Sequence, residues 1–258
     1  MTIAAGPGSW IAFRKPNPQA CLRLFCFPYA GAGASIFRTW SDGLPADVEV
    51  CPVQFPGRGT RLTEAPFTHL SPLVQALARA LVPLLDKPFA FFGHSLGALV
   101  SFELARQLRR QSGVLPVGLF VSADRAPQIP SRHRPIHALP EPEFLVELLH
   151  LNGTHQEVVE DPALMQIMIP VLRADLGVYQ TYLYSAESPL ECYISCFGGL
   201  QDTRVNRGDL EGWRDQTNAS FSLRMFPGDH FFLKTTQPLL LRALYQDLMH
   251  GSPAPETA

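Results

Sequence analysis

Six short runs of apolar residues punctuate the chain: Cys21–Phe27, Val48–Val53, Phe89–Phe92, Val117–Val121, Cys192–Phe197 and Phe221–Phe226. Runs of this length, bounded by Gly, Pro and polar residues, predict β-strands. Between them the apolar period lengthens to three and four residues over 70–85, 96–111, 204–217 and 237–249, which predicts helices. Strand and helix therefore alternate, and the pattern predicts an α/β fold with a mostly parallel central sheet and helices on both faces.

One stretch breaks the rhythm. Residues 126–190 contain no clear strand, open on the proline-rich Ala126-Pro-Gln-Ile-Pro-Ser-Arg-His-Arg-Pro135 and then read as several short helices. They are expected to form a helical lid inserted between two parts of the core, 19–125 and 191–250. Within the lid, Phe144, Leu145, Leu148, Leu149, Met165, Met168 and Ile169 fall at helical spacing and are expected to pack. The ends, 1–18 and 251–258, are rich in Pro, Gly and small polar residues and are expected to be loose.

Composition narrows the classes of function. With 258 residues, 46% of them apolar and 17% charged, the chain can bury the core of one domain, and a disordered or fibrous reading is excluded. The formal net charge of -2 supplies no basic field for nucleic acid or an anionic membrane. The chain has no run of about 20 apolar residues and its first residues do not read as a signal peptide, so a cytoplasmic protein is expected. Five cysteines without CxxC spacing, Cys21, Cys26, Cys51, Cys192 and Cys196, read as buried free thiols. No HExxH, Cys/His cluster or acidic calcium loop is present, so metal-free chemistry without a cofactor is expected.

The strongest chemical signal is Gly93-His-Ser-Leu-Gly97, set directly after an apolar strand and before a helical run. In that context GxSxG presents a serine hydroxyl on a tight strand-to-helix turn, which makes Ser95 the candidate nucleophile. A serine needs a base to take its proton, and His230 is the candidate, in a loop after the last strand. His69, His133, His137, His150 and His155 lie in loops or the lid, His94 adjoins the nucleophile and His250 is near the end, so structural roles are expected for them. Two carboxylates compete to orient the base. Asp202 follows the fifth strand in the glycine-rich Phe197-Gly-Gly-Leu-Gln-Asp202, and Asp124 follows the fourth; Asp202 is preferred because that loop can bend toward His230. Asp229 adjoins His230 in sequence and is badly placed to reach its ring. Backbone amides of Leu96 and of Ala30, in the loop Phe27-Pro-Tyr-Ala-Gly-Ala-Gly33, are the candidate oxyanion donors. The same loop is not a dinucleotide fingerprint, because the third glycine and the later acidic residue are missing from their spacing.

These motifs, with Phe55-Pro-Gly-Arg-Gly59, Leu172-Arg-Ala-Asp175, Trp213 and Gly228-Asp-His-Phe-Phe232, stand in an order that resembles the stand-alone type II thioesterases of polyketide and nonribosomal peptide assembly lines. The chain is also similar to the medium-chain acyl carrier protein thioesterase of animal fatty acid synthesis. The resemblance covers about residues 10–248; the chain departs from it at Asp124 and His155. It implies the α/β-hydrolase fold, Ser95, Asp202 and His230 as a triad, a channel for a phosphopantetheine arm, and editing or release of acyl groups held on an acyl or peptidyl carrier protein. Such carriers are acidic, which makes Arg58, Arg61, Arg125, Arg132 and Arg134 candidates for a local cationic rim. A monomer is expected. The competing readings are a carboxylesterase or acyl-CoA hydrolase of the same fold, and a non-catalytic carrier-binding module.

Overall fold

The computed structural model describes residues 10–151 and 161–251. Six strands form one sheet, β1 (Leu22–Phe27), β2 (Val48–Pro52), β3 (Phe89–His94), β4 (Gly118–Ser122), β5 (Tyr193–Gly199) and β6 (Phe221–Phe226), ordered β2-β1-β3-β4-β5-β6. Every neighbouring pair is parallel. The apolar runs thus mark the strands to within one or two residues, because a parallel strand covered on both faces must be apolar throughout.

The α-helices named for the described residues are α1 (Trp40–Gly43), α2 (Leu70–Leu81), α3 (Leu96–Ser112), α4 (Glu141–His150), α5 (Pro162–Gln180), α6 (Arg207–Glu211), α7 (Phe232–Thr235) and α8 (Gln237–Gly251). Alternate strand residues send Phe25, Phe27 and Phe91 to one face, against α2, α3 and Trp213. Leu24, Cys26 and Phe92 go to the other, against Trp40 of α1 and Leu240, Leu241 and Leu244 of α8.

Several local expectations change. The single helix expected over 204–217 begins only at Arg207, where Asn206 and Asp209 form a reciprocal cap, and passes into a tighter turn over Gly212–Gln216. Between β4 and β5, where a lid of several short helices is expected, the described residues hold one long helix, α5, in addition to the short α4. The side chain of Asp161 accepts from Ala163 N and Leu164 N and fixes the start of α5. Ile136, Phe144, Leu148, Met165, Leu172 and Leu176 give this segment its own apolar cluster, whereas Leu149 is exposed. Of the cysteines, four are buried and Cys21 is exposed.

The N-terminal segment is not loose from Trp10 onward. Trp10 is buried, Ile11 bridges Val53, and Arg14 pairs with Glu49. His155 and residues 252–258 lie outside the described residues. No helix among the described residues is long and apolar enough to cross a membrane.

Candidate active site

Strands of one parallel sheet all end on the same edge, so β3, β4, β5 and β6 deliver the loops bearing Ser95, Asp124, Asp202 and His230 to neighbouring places. Ser95 sits between β3 and α3 with φ 53° and ψ -119°, a conformation in which few non-glycine residues are found. The turn closes only because Gly97 has no side chain: a Cβ there would stand 2.1 Å from the carbonyl oxygen of Phe27. Ser95 N donates to Ser122 O at 2.8 Å, which ties the elbow to the end of β4.

His230 lies between β6 and α7, and its Nδ1 is 2.8 Å from Asp202 Oδ2. The other oxygen of Asp202 accepts from Arg204 N and Val205 N. An ionised carboxylate only accepts, so Nδ1 carries the hydrogen and Nε2 keeps a lone pair. That Nε2 is buried and has no hydrogen-bond partner. Ser95 and His230 line the same cavity, so the free nitrogen is the atom available to take a proton from a group reacting at Ser95.

Burial disfavours the charged Asp202, but the His230 hydrogen bond and charge, with the two backbone amides, outweigh it and hold the carboxyl below its ordinary range. Burial likewise acts on His230, and with the positive charge of Arg204 it outweighs Asp202 and keeps the imidazole below the ordinary histidine value of 6.5. A base with a lowered pKa stays neutral as the solution becomes more acidic. The acidic limb of kcat/KM is therefore expected to have its midpoint below 6.5. Arg204→Gln removes a charge that opposes the imidazolium and should move the midpoint upward. A pH–rate profile of both proteins checks this, and a wild-type midpoint at 6.5 or above would contradict the assignment.

Asp124 has a different place. Its Oδ1 accepts from the hydroxyl of Tyr179 on lid helix α5 at 2.5 Å, and its backbone oxygen accepts from Trp213 Nε1. Burial pushes this carboxyl up to about 7. Asp229 is also occupied elsewhere, accepting from Phe231 N. His94 is fully buried, its Nδ1 is 2.9 Å from Ser122 Oγ, and burial holds its pKa well below 6.5. Its ring packs edge-on against that of His230.

Among the described residues, neither Ala30 N nor Leu96 N donates a hydrogen bond. For Leu96 the reason is general, since the first amides of a helix have no intrahelical acceptor. For Ala30 it is local. The turn Tyr29–Ala32 is closed by Ala32 N on Tyr29 O, Gly31 N donates to Asp175 Oδ2, and Ala30 N alone of the three consecutive amides is left over.

Two cavities meet at Ser95 and His230. One has an apolar wall of Leu148, Leu172, Leu176 and Phe231; the other is bordered by Arg125, Arg132 and Arg134. Both include Arg204, which the sequence pattern placed inside a helix and gave no role. The remaining two rim candidates are corrected. Arg58 and Arg61 are buried and paired with Asp175 and Glu64, and Arg61 also stacks over Trp10, so neither is part of an exposed rim. Their charge is satisfied inside the fold, where an unpaired guanidinium would be strongly unfavourable.

No group of three or more potential metal ligands occurs among the described residues. A family model described as thioesterase domain matches residues 22–248. The chain is 49% identical over 233 residues to the gramicidin S biosynthesis protein GrsT of Aneurinibacillus migulanus, covering 90% of this chain and 91% of that one. Among solved structures it is similar to RedJ, a thioesterase from the prodiginine pathway of Streptomyces coelicolor, with TM-score 0.83, 38% identity and coverage of 90% and 88%. It is also similar to BorB, a type II thioesterase from the borrelidin biosynthetic cluster, with TM-score 0.83, 32% identity and coverage of 92% and 97%.

Proposed function

Because the chain belongs to the thioesterase domain family, we propose that it hydrolyses acyl thioesters carried on the phosphopantetheine arm of acyl or peptidyl carrier proteins, as a type II thioesterase of peptide or polyketide synthesis. The observation that carries this reading is the buried Asp202–His230 pair, whose free Nε2 borders the cavity shared with Ser95. Ser95 Oγ attacks the thioester carbonyl while His230 Nε2 takes its proton. Asp202 orients the ring and stabilises the imidazolium. The amides of Ala30 and Leu96 receive the oxyanion. The carbon–sulfur bond breaks, the pantetheine sulfur leaves with the proton from Nε2, and an acyl group remains on Ser95. Water then attacks, with His230 again the base, and a carboxylic acid is released.

The two cavities divide the substrate. The apolar wall of Leu148, Leu172 and Leu176 suits an acyl chain, and the arginine-bordered opening suits the arm and its phosphate. Turnover of an acyl carrier protein substrate with release of free thiol tests the reading. Much faster turnover of short p-nitrophenyl esters than of acyl-pantetheine thioesters would instead favour a general esterase.

The rim reduces to Arg125, Arg132 and Arg134. Arg132 and Arg134 remain largely exposed while paired with Asp209 and Glu147. Individual exposed pairs contribute roughly 0–1 kcal/mol, so any effect on carrier recognition is collective and electrostatic. Raising salt is expected to lower kcat/KM for an acyl-carrier substrate more steeply than for a small acyl-pantetheine thioester, because long-range attraction is screened. Arg132→Glu with Arg134→Glu should selectively weaken the carrier reaction. Equal salt slopes and no selective loss would remove this surface from carrier recognition.

A further inference from the structure

Two of the sequence fingerprints, Pro56-Gly57-Arg58 and Leu172-Arg-Ala-Asp175, supply no reacting group to the chemistry above, and the charged residues that end them, Arg58 and Asp175, have been given no role in it, yet the fold joins them. Arg58 and Asp175, separated by 117 residues, make a two-pronged ion pair, with Arg58 Nη2 2.7 Å from Asp175 Oδ1 and Nη1 on Oδ2. Their side chains are only 9% and 5% exposed. Asp175 Oδ2 also accepts from Gly31 N at 2.7 Å, and Arg58 Nη1 donates to Ala32 O at 3.2 Å. The pair therefore grips two adjacent residues of the Tyr29–Ala32 turn.

That turn is demanding. Gly31 has φ +79°, the left-handed value expected at the third position of a type II turn, and a Cβ there would stand 2.5 Å from Leu172 Cδ2 on the lid helix. Asp175 and Leu172 both belong to α5, so the lid helix supplies both the acceptor for Gly31 N and the wall above it. A buried ion pair is poor evidence for stability alone, since apolar residues of similar volume often replace one without loss. Its value here lies in geometry: by occupying Gly31 N it leaves Ala30 N as the amide available to a substrate.

We propose that the Arg58–Asp175 pair is a positioning device for the oxyanion hole, which sets the Ala30 amide in place when the lid helix is seated on the core. The proposal rests on the reading of Ser95 as nucleophile and Ala30 as oxyanion donor. A misplacement of about 1 Å at such a site costs on the order of 10²-fold in rate, comparable to losing one oxyanion donor.

The test is the double variant Arg58→Met with Asp175→Leu, which removes both charges and leaves neither unpaired. In folded protein, kcat for acyl-pantetheine hydrolysis is expected to fall about 10²-fold, with KM changed less than about threefold. Affinity for an alkyl trifluoromethyl ketone, which forms a tetrahedral adduct on the serine, should fall with kcat. Affinity for a thioether analogue lacking the carbonyl should stay near wild type. Should the double variant not fold, Asp175→Asn, which keeps an acceptor for Gly31 N but loses the two-pronged pair, is expected to show the same pattern at about tenfold. Unchanged kcat in either folded variant, or ketone and thioether affinities that decline together, overturns the positioning role. Failure of wild-type enzyme to form the ketone adduct would overturn the nucleophile reading and this proposal with it.

Discussion

Ser95→Ala is expected to lower thioester hydrolysis by about 10³-fold or more, because it removes the hydroxyl held on the strand-to-helix turn beside the amides of Leu96 and Ala30 and in the same cavity as His230. Hydrolysis by water positioned in the intact oxyanion hole sets the remaining rate. The fold should persist. The substitution removes one hydroxyl for which no hydrogen bond occurs among the described residues, and alanine meets the same backbone strain at φ 53° as serine does. Mass spectrometry with a serine-directed fluorophosphonate checks the same point independently. Wild-type protein should gain one adduct on the peptide containing Ser95, and the variant none. Steady turnover by purified Ser95→Ala protein would end the nucleophile assignment, whereas wild-type protein with neither turnover nor adduct would be a non-catalytic binding module.

Asp202→Asn should cost up to about 10⁴-fold in kcat, whereas Asp124→Asn should be mild. An asparagine at 202 can present its NH₂ group to His230 Nδ1, which favours the tautomer with its hydrogen on Nε2, and a base with that hydrogen cannot accept another from Ser95. It also removes the negative charge that stabilises the imidazolium. At Asp124 the relevant partner is the Tyr179 hydroxyl, 2.5 Å away, and an asparagine oxygen can still accept from it. Because burial raises this carboxyl to about 7, the wild-type group is already partly neutral near pH 7, and the amide resembles that form. Parallel kcat measurements on the two variants decide the matter. The reverse ranking would transfer the orienting role to the loop after β4.

The cationic rim marks where reading charges along a chain reaches its limit. Arg58, Arg61, Arg132 and Arg134 are alike as letters, and isolated arginines are normally exposed. Arg58 is buried because Asp175 arrives from the lid helix, and Arg61 because Glu64 and the Trp10 ring enclose it. Arg204 shows the converse error. Its neighbours have a helical period, but Asp202 Oδ1 takes the amides of Arg204 and Val205, and the Asn206 cap delays the helix to Arg207. The residue is thereby left at the cavity instead of on a helix.

What the amino-acid sequence determined by itself was whatever depends on neighbours along the chain. Strand positions follow from apolar runs that a doubly covered parallel sheet requires, and the Ser95 turn follows from a strand, two glycines and a helix in immediate succession. The order of the candidate nucleophile, acid and base could be read for the same reason, since each stands shortly after a strand. What only the tertiary structure decided was which of two carboxylates meets His230, which arginines keep their charge in water, and why Ala30 N is left without an acceptor among the described residues while Gly31 N and Ala32 N are taken. Each depends on groups brought together from distant parts of the chain: Asp202 with His230 across β5 and β6, Tyr179 with Asp124 across the lid, and Asp175 with Arg58 and Gly31 across the core. Hydrogen bonds and ion pairs act over a few ångströms, and those distances are set by the packing of lid and sheet, not by the spacing of residues in the chain.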